Sequence, residues 1–401
     1  MKQYLEILRA PGVARIVSSQ LTARFPYGML SIAQLLYIHD RTGSYAISGL
    51  VLAACSIGQA IAGPFSSRMM GVLGMRPVLA LSVAISGATL AIETSFAFTP
   101  AVYTVLGFVL GLSMPPVQSA VRTIYPKLVP SNQAARLYSL DATAQEIIWV
   151  IGPVIATFAG TQLGGATAMW ICVAFLVVGG GWFISSPELG RVKIPRSKRR
   201  FGAVLFRPPI AVAALTGFLL VGVWSAVEAG VVTAFGKGSP TGGIVLAISS
   251  VASIIGGLSL GHLPIRPWTI ARRMLLLTAG VAMSLAALDF WWLSLSLAVM
   301  GLGTAPALAA LSSVVSASAK FSDTAEAYGW VGTGQLIGAA LGAGLAGFLI
   351  DTVGPIGAFI TATVFGVFGV IVPAIAHRAL PDLKFRDATP HPDTDAVASV
   401  S

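Results

Sequence analysis

Apolar residues in this chain run in long blocks separated by short polar, basic or Gly/Pro-rich breaks. The blocks fall at approximately 13–38, 45–69, 77–95, 99–121, 135–158, 165–185, 210–234, 241–262, 271–288, 290–318, 326–350 and 356–378. Each is long enough for a helix to cross a bilayer, which takes roughly 17–25 residues. The pattern therefore predicts an all-α integral membrane protein with twelve transmembrane helices.

Composition supports this reading. The 401 residues are 55% hydrophobic and only 10% charged, with a mean hydropathy of +0.83. A soluble domain carries about 25% charged residues, so a water-soluble fold is excluded. The 44 glycines and 23 prolines suit membrane helices, which tolerate both better than soluble helices do. The N-terminus MKQYLEILRAPGVARIVSSQL shows no compact apolar region followed by a cleavage site, so no removable signal peptide is expected. Cys55 and Cys172 both lie in apolar runs, and neither a disulfide framework nor a cysteine metal site is predicted.

The net charge of +10 could point to nucleic acid, but its distribution points to topology. Every Lys and Arg except Arg24, Arg41 and Lys237 falls on the termini or the even-numbered connections. By the positive-inside rule these face the cytoplasm, as do both termini. Nucleic acid is not an expected partner; the lipid bilayer is.

The chain divides at its midpoint. Residues 1–184 form one six-helix half and 210–380 the other, joined by the basic linker SSPELGRVKIPRSKRRFGAVLFRPP at 185–209. The polar tail 381–401 is expected to be disordered. Shifting the chain by 190 positions superposes GLSMPP at 111–116 on GLGTAP at 301–306. It also matches Tyr138, Thr143, Gln145 and Gly152 to Tyr328, Thr333, Gln335 and Gly342. Two parallel six-helix repeats follow, with a substrate path expected between them near the midplane.

With twelve spans, a six-plus-six duplication and a basic central loop, residues 10–380 resemble the major facilitator superfamily. GPFSSRMMGVLGMRP at 63–77 looks like its glycine-rich loop between helices two and three. Gly63, Arg68, Gly74 and Arg76 fit that pattern; Gly71 and Val72 stand where the family has Asp and Arg. Arg122 at the inner end of the fourth span and Gly152-Pro153 in the fifth, similar to the signature of antiporter branches, complete the resemblance. It implies a drug or sugar efflux-like permease, monomeric, in the cell inner membrane and without cofactors.

Ionisable residues deep in spans are costly and mark function. Arg24 sits near the centre of the first span, beyond snorkelling reach, and should face protein or a water-filled cavity and pair with an acid. Glu146 is near the centre of the fifth span, where an unpaired carboxylate is driven toward its neutral form and can carry a proton. Arg24 and Glu146 are thus the candidate proton-coupling residues, with Arg24 competing for that carboxylate. Asp141 is nearer the cytoplasmic end, and a cytoplasmic gate of Arg68, Arg76, Arg122 and Asp141 is expected. Tyr138, Asp141, Gln145, Trp149 and Gly152 fall within about 80° on one helix stripe, and Glu146 points elsewhere. The two acids are therefore not a dyad. Arg24, Gln145, Trp149, Glu228 and Gln335 are the candidate substrate-cavity residues, and Pro26, Gly152 and Pro153 the candidate hinges. Glu93 and Asp289, at predicted outer span ends, are expected to be solvated.

Enzyme chemistry finds no support. None of His39, His262, His377 and His391 lies mid-span, and no zinc, phosphate-loop or nucleophile-elbow motif occurs. The reading is a secondary transporter exporting a small organic molecule by proton antiport. The alternatives are a uniporter or importer of a sugar-like solute, with Arg24 and Glu146 as a fixed pair, or a non-transporting membrane receptor.

Overall fold

The computed structural model describes residues 2–236, 240–261, 263–384 and 387–393. Sixteen α-helices form among the described residues, numbered here in chain order. The first half holds α1 (Lys2–Arg9), α2 (Val13–Thr42), α3 (Tyr45–Leu73), α4 (Met75–Ser95), α5 (Pro100–Ser113), α6 (Val117–Leu128), α7 (Ala134–Gln162), α8 (Gly165–Ala174) and α9 (Gly180–Ser185), and α10 (Pro187–Arg191) opens the linker. The second holds α11 (Pro208–Phe235), α12 (Pro240–Leu260), α13 (Thr269–Met283), α14 (Phe290–Ser318), α15 (Phe321–Val353) and α16 (Ile356–Ile375).

Ten rods among the described residues are long and apolar enough to span a membrane, counting α5 with α6 and α8 with α9. The first and ninth expected spans, α2 and α13, fall outside that set. Helix α2 is diluted by Ser19, Gln20, Arg24 and Gln34, all buried against protein, and α13 has only 15 residues. The fourth expected span is broken. Pro115 and Pro116 lack amide donors and disfavour helix at the residue before them, so α5 caps at Met114 and α6 restarts at Val117. A π-helical turn at Phe175–Gly179 joins α8 to α9 and packs on α2. Such turns concentrate at functional sites.

The two halves repeat the same joints. The Tyr138 hydroxyl donates to the Arg122 carbonyl at 2.9 Å, and the Tyr328 hydroxyl donates to the Ser312 carbonyl at 2.7 Å. Helices α2 and α7 cross where a methyl group added at Gly152 would stand 3.0 Å from the Gly28 carbonyl carbon. Helices α11 and α15 cross the same way, with a methyl at Gly342 falling 2.8 Å from Gly222 Cα. The Tyr138 and Tyr328 rings themselves meet, with centroids 6.5 Å apart.

Hydrogen bonds that join the halves among the described residues include four that lie within about 20 Å of the end that carries the linker, at 1.5 Å per residue. Arg68 Nη1 donates to Glu326 Oε2 at 2.7 Å, Thr333 Oγ1 to the Ala60 carbonyl at 2.7 Å, Ser139 Oγ to the Gly257 carbonyl at 2.8 Å, and Ser253 Oγ to Glu146 Oε1 at 2.8 Å. The linker closes over this end. Ser197 Oγ donates to Asp323 Oδ1 at 2.5 Å, and the Gly202 amide donates to Glu326 Oε1 at 2.7 Å. At α10, burial works against the Glu188 carboxylate, but its hydrogen bond with Arg15 holds it below the usual carboxylate range.

The described part of the tail touches the second half. The Leu383 amide donates to the Ile265 carbonyl at 2.8 Å, and His391 pairs edge-on beside Lys320 through its amide to Ala319 and its carbonyl to Phe321. Asp393 accepts from the Ser322 amide at 3.2 Å, capping the start of α15. Lys237, His262, Arg386 and residues 394–401, which entered the sequence reading, lie outside the described residues.

Candidate functional site

A polar cluster occupies the interior of the first half, about 16 Å along α2 from its linker end at 1.5 Å per residue. Asp141, with no exposed surface, is its centre. Its Oδ2 accepts from Arg122 Nε at 3.0 Å. Its Oδ1 accepts from Arg24 Nη1 at 3.3 Å, Gln20 Nε2 at 3.1 Å and the Tyr125 hydroxyl at 3.0 Å. Arg24, 4% exposed, also reaches Gln20 Oε1 at 3.0 Å, Gln118 Oε1 at 3.2 Å and the Gln145 carbonyl oxygen. Arg122 Nη2 donates to that same Gln145 oxygen at 3.4 Å. Two guanidinium groups thus converge on one carboxylate and one amide.

The acid that meets Arg24 is Asp141; the fixed Arg24–Glu146 pair of the uniporter alternative does not form. Asp141 and Gln145 lie one turn apart on the face of α7 that meets α2 and α6, and they take both arginines. Glu146, one residue further round the helix, points to the other half. It is 5% exposed, and its Oε1 accepts from Ser253 of α12, whose Oγ accepts in turn from the Ala305 amide of α14 at 3.1 Å. A carboxyl of the first half is thereby tied through one hydroxyl to two helices of the second. Ser253 and Ala305 carried no signal in the sequence, because a serine in an apolar run such as SVASIIGG reads as scaffold.

The four expected gate residues do not assemble. Arg122 and Asp141 pair inside the first half. Arg76 donates to the Ser186 carbonyl at 2.9 Å and staples α4 to the first residues of the linker. Arg68 alone of the four crosses between the halves, to Glu326. Sequence reading passed over Glu326, an acid at the first position of a span whose neighbouring linker is basic; that juxtaposition was the available signal.

The remaining candidates scatter. Trp149 is half-exposed on α7, and Glu228 is exposed on α11. The Gln335 side chain lies against Gly217, with its Nε2 3.5 Å from where a Gly217 methyl would stand. Pro26 and Pro153 sit inside unbroken helices on either side of the Gly28–Gly152 crossing. Asp289 is exposed and caps α14, accepting from the Trp291 and Trp292 amides at 3.1 Å. Glu93 is not solvated. It is fully buried, and Gln34 Nε2 donates to it at 2.9 Å. It sits two residues before the helix end, but on the face that packs against α2.

Two halves that repeat the same joints, a seam between them and buried charges deep in apolar helices define a two-repeat membrane helix bundle. The Major Facilitator Superfamily model matches residues 16–288 and 231–399, and the chain belongs to that superfamily. It is 23% identical over 302 residues to the uncharacterized MFS-type transporter y4rN of Sinorhizobium fredii, covering 70% of this chain and 72% of that protein. It is 24% identical over 182 residues to the multidrug resistance protein MdtG of Enterobacter lignolyticus, covering 44% and 43%. In structure it resembles the human organic anion transporter MFSD10 (TETRAN), with a TM-score of 0.73 and 16% identity, over 90% of this chain and 99% of that one. The E. coli fucose:proton symporter FucP gives a TM-score of 0.68 at 16% identity, over 91% and 97%. At these identities the structural likeness speaks to fold.

Proposed function

We propose that the protein is a proton-coupled exporter of a small organic molecule, with Glu146 as the coupling residue. The observation that carries this reading is the Glu146–Ser253–Ala305 chain across the seam. A buried carboxyl held by a hydroxyl of the opposite half changes its hydration whenever the halves rock. A charge taken from water into a low-dielectric site is strongly disfavoured unless paired. Its proton occupancy is therefore linked to which side the seam opens. Asp141 is a poor carrier by the same logic: two arginines hold its charge. Arg24 then serves as a neutralised support for Gln145, whose amide sits one turn from Trp149 and offers a polar contact to substrate. The likeness to MdtG over part of the chain favours export of drug-like molecules, and the basic linker end is read as cytoplasmic. The arrangement described is then the state closed to the cytoplasm, held by Arg68–Glu326.

The test is reconstitution in proteoliposomes with an imposed pH gradient and a panel of lipophilic and organic-anion substrates. Glu146→Gln should fold as the wild type does but lose concentrative transport by about tenfold or more, while keeping substrate exchange at equal concentrations. Concentrative transport by Glu146→Gln at the wild-type level would sink the carrier role.

A further inference from the structure

The linker does more than close the bundle end. With α3 it walls a cavity of about 880 Å³, lined by Phe65, Arg68, Met69, Val72, Phe201 and the linker run Arg196–Arg199. Four of its lining residues are cationic and none is acidic. Two of the charges are committed: Arg68 to Glu326 at 2.7 Å, and Arg199 to Asp323 at 3.6 Å. The other two, Arg196 and Lys198, are exposed and have no acidic partner among the described residues. The cavity thus offers two uncompensated cations above an apolar floor.

That floor continues into the membrane. Ile57, Ile61 and Phe65 recur every four residues on α3, so they form one stripe. All three are exposed, Phe65 at 60%, and Val72 and Leu73 extend the apolar surface to the helix end. Lipid tails run along such a stripe, and its upper end opens where headgroups lie. We infer that this cavity is a binding site for an anionic phospholipid, with the headgroup phosphate on Arg196 and Lys198 and one acyl chain along the Ile57–Ile61–Phe65 stripe. A soluble organic phosphate would satisfy the cations but leave the stripe bare; continuity of cavity and stripe is what selects a lipid. Basic clusters beside transmembrane helices are the sequence form of such recognition. Because Arg68 lines the cavity and also bridges the halves, the bound lipid adjoins the contact that closes the linker end.

The test uses the full chain purified from nanodiscs of phosphatidylcholine and phosphatidylglycerol at 3:1, with retained lipid counted by native mass spectrometry. The wild type should hold one phosphatidylglycerol under conditions that strip phosphatidylcholine. Each basic residue near an anionic surface is worth roughly fivefold in binding, so Arg196→Gln with Lys198→Gln should lower retention about 25-fold. A separate variant, Ile61→Gln with Phe65→Gln, should lower it through the tail while leaving both cations in place. Retention at the wild-type level in the first variant would overturn the site. Displacement of the lipid by millimolar glycerol phosphate would overturn the lipid in favour of a soluble anion, and equal retention of phosphatidylcholine would overturn charge recognition.

Discussion

The two halves share a scaffold and differ in what they enclose. Gly28 and Gly222 occupy the same crossing, which aligns Gln20 and Arg24 of α2 with Ala214 and Phe218 of α11. The tyrosine bonds align Arg122, Tyr125 and Asp141 with Ser312, Val315 and Val331. Every member of the charged cluster thus meets a small or apolar residue in the second half, and only Gln145 keeps its type, as Gln335. Phe218, in place of Arg24, stacks on Phe365 with ring centroids 5.8 Å apart. The same six-helix frame is therefore stable with either interior. The network around Asp141 is an addition to the frame, and its removal is harmful only when it leaves charges behind.

Substitutions in both halves and at the seam test that contrast. Asp141→Asn strands two buried guanidinium groups and should cost about 3–5 kcal/mol, read as a large fall in melting temperature in detergent. A combined Gln20→Ala, Arg24→Phe, Arg122→Ser, Tyr125→Val and Asp141→Val variant installs the second half's residues. It should melt closer to the wild type than Asp141→Asn does, and if it melts lower the two interiors are not interchangeable. Next in size is Arg68→Ala, which leaves buried Glu326 with backbone and indole donors alone. Losing a hydrogen bond to a charged group costs about 1.5–3 kcal/mol. The linker end should open more often by tenfold or more, seen as a longer distance between spin labels on the linker ends of α3 and α15; an unchanged distance distribution would remove Arg68 from the gate. The smallest effect is expected for Tyr138→Phe and Tyr328→Phe, about 1 kcal/mol each. Equal losses in thermal melts fit a shared scaffold, and a clear inequality breaks the equivalence.

The frame was legible in the sequence because hydrophobic length and basic loops are local signals. The apolar runs and the 190-residue match could be read without knowing any contact, although α2 and α13 fall outside the apolar set. The break at Met114–Pro116 was also written in the chain, as two consecutive prolines inside an apolar run, but hydropathy alone passes over it. The polar site was half legible. The helix wheel put Asp141 and Gln145 on one face and Glu146 on another, and the structure separates them that way. What the wheel cannot supply is the partner. Asp141 lies 117 positions from Arg24 and Glu146 lies 107 from Ser253, and such pairings depend on how whole helices cross. Depth misled in the case of Glu93, whose nearness to a helix end suggested water while its face packed on α2.

The contact between Tyr138 and Tyr328 has a consequence for ancestry. Two equivalent residues of a repeated structure can touch only where the symmetry axis passes, so these rings mark the axis relating the halves. If the repeat descends from a single six-helix chain that assembled in pairs, this tyrosine met its own copy, as residues on the axis of a symmetric dimer must. Any substitution there would have struck both sides of the contact at once. Fusion into one gene removed that constraint and let the two sides change separately. The tyrosines stayed alike while Asp141 and Glu146, a few residues along the same helix, lost any counterpart in Val331 and Leu336.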